Sequence, residues 1–130
     1  MSENSTLTYT PPRPFQKIPI INSSYQLYGL FHELLITFPK SQRYSLGATC
    51  QAEMLDLIKS CLRAAGTGDQ TRKHSHLLDA SSHLDTLRLL ICLARDCRCL
   101  SNHAYQQCES HLSEIGRMLG GWLKSISSSP

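Results

Sequence analysis

At 130 residues and 14.6 kDa, with 41% hydrophobic and 18% charged residues, the chain has the size and composition of one folded domain, which excludes a wholly disordered protein. A chain this long buries roughly two-thirds of the surface it exposes when unfolded, enough to stand without disulfide or metal staples. Thirteen Lys and Arg against ten Asp and Glu leave a net charge of +3, a lean toward anionic partners. The longest apolar run, Leu89 to Ala94, stops at Arg95, far short of the ~18–20 residues a membrane span needs.

The start, Met1 to Thr6, has neither the basic stretch nor the apolar run of a secretion signal, so a cytoplasmic location is expected. Residues 1–22 read as an irregular arm. Pro11, Pro12, Pro14 and Pro19 remove backbone donors and fix φ, which argues against a helix there. Phe15, Ile18, Ile20 and Ile21 make its second half sticky, suited to docking on the domain or on a neighbour.

From Ser23 the apolar period becomes helical, and residues 23–130 read as one helical domain. Ser23 or Ser24 is the expected cap of a first helix, whose apolar face carries Leu27, Leu30, Phe31, Leu34, Leu35 and Phe38 until Pro39 ends it. A second helix starts near Ser41, carries Leu46, Cys50, Met54, Leu57, Ile58, Cys61 and Leu62, and stops at Gly66-Thr67-Gly68. Asp69 caps a third, with Leu77, Ala80, Leu84, Leu87, Ile91 and Ala94 stepping by threes and fours. That helix gives way between Asp96 and Leu100. Ser101 then caps a fourth, striped by Tyr105, Cys108, Leu112, Ile115, Leu119, Trp122 and Ile126. No segment after Ser23 alternates at period two. The fold class is therefore all-α, an antiparallel four-helix bundle behind an irregular Pro-containing N-terminal arm.

Two features exceed what a bundle requires. From Leu84 to Ala94, eight of eleven positions are apolar or cysteine, and Leu89, Leu90 and Leu93 point away from the core stripe. A helix apolar nearly all round needs burial on two sides, which marks these three leucines as an interface between copies. The arm folding over the same face is the plainer alternative. Gly116, Gly120 and Gly121 lie inside the fourth helix, each costing up to about 1 kcal/mol against alanine, so close approach of another backbone is the expected compensation.

Chemistry-bearing motifs are sparse. There is no Gly-x-Ser-x-Gly, no phosphate-cradling glycine loop and no His-Glu-x-x-His, so no enzyme is expected. Without an export signal the six cysteines read as reduced thiols, with Cys50, Cys61 and Cys108 packing as small hydrophobes. His74-x-His76, His83, Cys92 and Cys97-x-Cys99 offer soft ligands. Their pairs, however, fall at opposite ends of one helix, roughly 30 Å apart at ~1.5 Å per residue. No metal or cofactor is expected within one protomer.

The run Leu112-Ser113-Glu114-Ile115-Gly116-Arg117-Met118-Leu119-Gly120-Gly121-Trp122-Leu123-Lys124 resembles the C-terminal signature of the accessory variability determinant family of diversity-generating retroelements. Phe38 to Gly47 is similar to that family's junction between its first two helices, and Leu87-Arg88-Leu89-Leu90 with Leu93-Ala94 to its third helix. Together these cover Tyr25 to Ile126. The resemblance implies a small non-enzymatic bundle that forms a homopentamer and binds a reverse transcriptase and its template RNA. It implies a role in error-prone copying of that template into variable genes. The alternative is a protein-interaction bundle of the kind encoded in ribosomal RNA intervening sequences, with no nucleic-acid role.

On that reading the cations become candidate nucleic-acid-binding residues. Lys59 and Arg63 lie four apart on the second helix. Arg88 and Arg95 are seven apart on the third, and Arg117 and Lys124 repeat the spacing on the fourth. Arg72 and Lys73, with His74 and His76, make a basic start to the third helix, where the helix dipole disfavours cations and a phosphate ligand is an explanation. On charge alone a solvated face is favoured, with Asp56 pairing Lys59 and Asp85 pairing Arg88. Repetition in a ring multiplies each cation and reverses the balance.

Overall fold

The computed structural model describes residues 18–127; the earlier part of the expected arm lies outside them. Helix α1 spans Pro19–Leu34, α2 Ala48–Gly66, α3 Gln70–Asp96 and α4 Asn102–Ser127. Each helix packs on its sequence neighbours, and α4 closes back onto α1, so the four make a square bundle without diagonal contacts. The short connections between consecutive helices make them antiparallel.

The first helix begins five or six residues earlier than a cap at Ser23 or Ser24 would place it. Ile18 is the extended N-cap residue and Pro19 takes the first helical position, where a missing N–H costs nothing and the fixed φ suits the helix. Pro19 therefore starts a helix instead of excluding one. Ser24 is buried within α1 and donates from its hydroxyl to the Ile20 carbonyl at 2.8 Å, so it caps nothing. Ile20 and Ile21 join the core, which moves them out of the arm.

The end of α1 tightens into a 3₁₀ turn, Leu35–Thr37, and the extended Phe38 precedes Pro39 as pre-proline sterics require. A turn of helix, Lys40–Gln42, and a π-helical segment, Arg43–Gly47, lead into α2. Gly47 gives room to Leu35 there: a Cβ on it would stand 2.6 Å from Leu35 Cδ2, which would have to turn aside. At the far end of α2, Asp69 accepts from Thr71 N at 3.0 Å and caps α3. Ser101 caps α4 through Ala104 N, also at 3.0 Å.

Leu77, Ala80, Leu84, Leu87, Ile91 and Ala94 are all buried, as their spacing predicts. They meet Met54, Leu57 and Cys61 of α2 and Cys108, Leu112 and Ile115 of α4. Phe31 and Phe38 pack edge to face at 5.5 Å and close one end. Tyr105 and Trp122, placed on the core stripe by sequence, are half-buried at its margin, and Ala104 fills the core position beside Tyr105. Cys50, Cys61 and Cys108 are free buried thiols, and burial pushes each up to about 12. Among the described residues no helix is long and apolar enough to cross a membrane.

Candidate nucleic-acid interface

The structure divides the eight candidate cations by the work each already does. Lys73 stands at the α2–α3 corner, where its Nζ donates to the Ala64 carbonyl at 2.7 Å and lies 5.8 Å from the Trp122 ring. A cation that is misplaced at the start of α3 is thus well placed at the end of α2, where it meets a free carbonyl and the negative end of that helix. No phosphate is needed to explain it. Arg72, exposed beside it, lies 3.8 Å from Asp69, and Lys59 is 3.2 Å from Asp56. Arg63 is exposed and has no ion-pair partner among the described residues. Lys124 is exposed two residues beyond Trp122, so α4 brings it to the same end of the bundle. Arg63, Arg72, Lys73 and Lys124 therefore gather at one end, with Lys59 a turn below.

Arg88 and Arg95 are separate from that group. They share a face of α3, as their spacing requires, and that face is the seam with α4. Arg88 Nη2 donates to the Leu112 carbonyl at 3.0 Å, and Nη1 lies 3.8 Å from Glu109. Its acid is across the seam and not Asp85. Gly116 has its explanation here, because a Cβ on it would stand 2.9 Å from Arg88 Nη2. Within the protomer the glycine leaves room for the guanidinium. Gly120 and Gly121 have nothing within 4 Å of an added Cβ, so nothing within the protomer requires them. Arg95 lies over the Tyr105 ring at 4.3 Å and donates to Asp96 at 3.1 Å. The Cys92 thiol beside the Tyr105 hydroxyl, 3.6 Å away, holds that phenol above its ordinary pKa. Arg117 is held by both carboxylate oxygens of Glu114.

The three interface leucines also separate. Leu89 is 70% exposed and Leu93 45%, whereas Leu90 packs against the protomer's own core. Leu78, 49% exposed, extends the line of Leu89 and Leu93 toward the start of α3. Sequence reasoning missed Leu78 because it stands outside the greasy stretch; continuing the outer stripe back by helical steps finds it.

Among the described residues the bundle thus carries a basic corner where α2 meets α3 and an exposed apolar strip along α3, while further cations, Lys40, Arg43, Arg95 and Arg98, stand at its opposite end. The family model described as bAvd-like matches residues 16–126, and the chain belongs to that family, the accessory variability determinants of diversity-generating retroelements. No curated protein matches the chain. The family consists of accessory proteins and is not known for catalysis.

Proposed function

We propose that the chain is the nucleic-acid-binding accessory subunit of a retroelement reverse transcriptase. In this reading it works as a cytoplasmic homopentamer, holding template RNA and the polymerase together during mutagenic copying. The observation that carries this reading is the family match over residues 16–126. The exposed Leu78, Leu89 and Leu93 support it by offering an apolar strip for the next copy. The α2–α3 corner supports it by supplying cations that, repeated around a ring, focus their field.

RNA contact centres on the exposed Arg63 and Arg72, with Lys59 and Lys124 beside them and Lys73 holding the corner that presents them. Arg88 and Arg95 lie away from that corner, in the α3–α4 seam, and with Arg117 they add charge to the field. Aromatic platforms for unpaired bases are not part of the site, since Trp122 packs inward under Lys73. Binding is therefore dominated by phosphate, and sequence preference comes from RNA shape or the polymerase.

Fluorescence anisotropy with labelled RNA at several salt concentrations tests this. Affinity falls steeply with salt, each phosphate contact adding roughly 0.7–0.9 to the slope of log K against log salt. Arg63→Ala with Arg72→Ala flattens that slope while light scattering shows the assembly unchanged. An unchanged slope would move the site elsewhere. Absence of RNA binding at low salt would favour a bundle whose partner is only protein.

A further inference from the structure

One cluster of side chains takes no part in the core or in the proposed RNA contacts. Glu53 and Asp56 stand one turn apart on α2, and His83 faces them from α3. Their donor atoms lie within 4.8 Å of one another, and all three residues are half-buried. His83 Nδ1 is 2.8 Å from Glu53 Oε1. No other group of three such donors comes this close among the described residues.

We propose that Glu53, Asp56 and His83 form a binding site for one divalent transition-metal ion of the zinc type, joining α2 to α3. The donor set carries the chemistry. An imidazole nitrogen with two carboxylate oxygens suits borderline ions such as Zn²⁺, Co²⁺ and Mn²⁺, and disfavours Mg²⁺ and Ca²⁺, which take oxygen ligands. Such ions bind these donors at about 2.0–2.2 Å, so occupied ligands lie about 3.5 Å apart in tetrahedral geometry. The cluster reaches that by rotating its carboxylates, with no movement of either helix. The metal takes the place of the hydrogen bond between His83 Nδ1 and Glu53 Oε1, with the ring's hydrogen held on Nε2. Asp56 gives up its pair with Lys59 at 3.2 Å, a partly exposed contact of small worth. The remaining coordination position is left to water.

The test uses the untagged full-length protein, stripped with chelator, kept reduced, and titrated with Zn²⁺ by calorimetry and with Co²⁺ by absorption. One ion binds per protomer with micromolar affinity. The Co²⁺ spectrum shows d–d bands without thiolate charge transfer, because no sulfur is in the set. At about a hundredfold excess over Kd, Zn²⁺ raises the melting midpoint by on the order of 5–10 °C. His83→Gln and Asp56→Asn each weaken binding at least tenfold, while Cys97→Ser with Cys99→Ser leaves it unchanged. If His83→Gln does not fold, Asp56→Asn decides alone, since its side chain sits at the rim. Failure of the reduced wild type to take up metal would overturn the proposal. So would a thiolate band, or binding lost in the double-serine variant and kept in Asp56→Asn. None of these readouts involves RNA, so the outcome is independent of the RNA-binding reading.

Discussion

Arg88 and Leu89 are neighbours in sequence with inverted fates. The arginine turns into the α3–α4 seam and has a carbonyl, a carboxylate and a glycine fitted to it, while the leucine beside it is 70% exposed. Elsewhere on α3 the usual rule holds: Leu77, Leu84 and Ile91 are buried, and Arg72 and Asp79 face water. Among the described residues, therefore, the protomer accounts for its charged seam and leaves its apolar strip uncovered. The seam belongs to the fold. For the strip, the next copy of the chain is the partner proposed.

The largest effect comes from breaking the strip. Leu89→Asp with Leu93→Asp places two desolvated charges at each contact between copies, so the assembly separates into units of 14.6 kDa. Light scattering measures the mass, and circular dichroism shows the helices intact. A mass that stays multimeric would put the contact elsewhere. Leu90 is a poorer probe than its neighbours, because its packing on the protomer's own core mixes unfolding with dissociation.

Next in size is an alkaline loss of stability, which separates the core from the seam by its thiols. Burial raises Cys50, Cys61 and Cys108 from 9.0 to about 12 in the folded chain. The folded protein thus keeps protons that the unfolded chain releases. Stability is intact below pH 9 and declines as pH rises from 9.0 toward about 12. Together the three thiols remove on the order of 4 kcal/mol by about pH 10. Denaturant melts at stepped pH measure this, and Cys61→Ala reduces the slope by one thiol's share. Cys97, exposed on the connecting turn, reacts with thiol reagents in the native state.

Legibility in the sequence follows the range of the forces. The α3 stripe and the caps at Asp69 and Ser101 depend on residues three or four apart, and each stands where the period places it. Helix breaking is proline's commonest effect, but the position of Pro19 before an apolar period fits a helix start equally well. The π-helical segment Arg43–Gly47 has no periodicity of its own. The partners of Arg88, Lys73 and His83 depend on how two antiparallel helices align, which a single helix's pattern does not contain. For the same reason His83 appears in the sequence beside the wrong companions. Its carboxylates are thirty and twenty-seven residues away, on the facing helix.

A smaller effect sharpens the account of the seam. Arg88→Ala removes a charge-assisted bond to a backbone carbonyl and leaves open the space made by Gly116, so the protein loses about 1–2 kcal/mol. Part exposure of the guanidinium keeps the loss at the lower end. Leu89→Ala in a protomer kept monomeric loses less than roughly 0.5 kcal/mol, because nothing packs on it there. Equal losses from the two would mean that the strip is covered within the protomer.

A further small effect has the opposite sign and lies just beyond the seam. Where α3 ends, Arg98 N donates to the Arg95 carbonyl at 2.9 Å and Cys99 N to the Ala94 carbonyl at 2.8 Å. This pair of bonds closes a Schellman turn, whose central residue must adopt the left-handed region. Arg98 occupies it with φ at 64°, a conformation that crowds any Cβ and that glycine adopts freely. The turn tolerates the strain because it is fixed from outside: Cys99 and Leu100 are buried, and Thr37 donates to the Cys99 carbonyl at 3.0 Å. Arg98→Gly relieves the crowding while giving the unfolded chain more freedom, so the net gain is about 0.5–1 kcal/mol. Arg98→Ala keeps the Cβ and gains nothing, which separates backbone relief from loss of charge. Urea melts of the three proteins at one concentration rank them, with glycine first and alanine level with arginine.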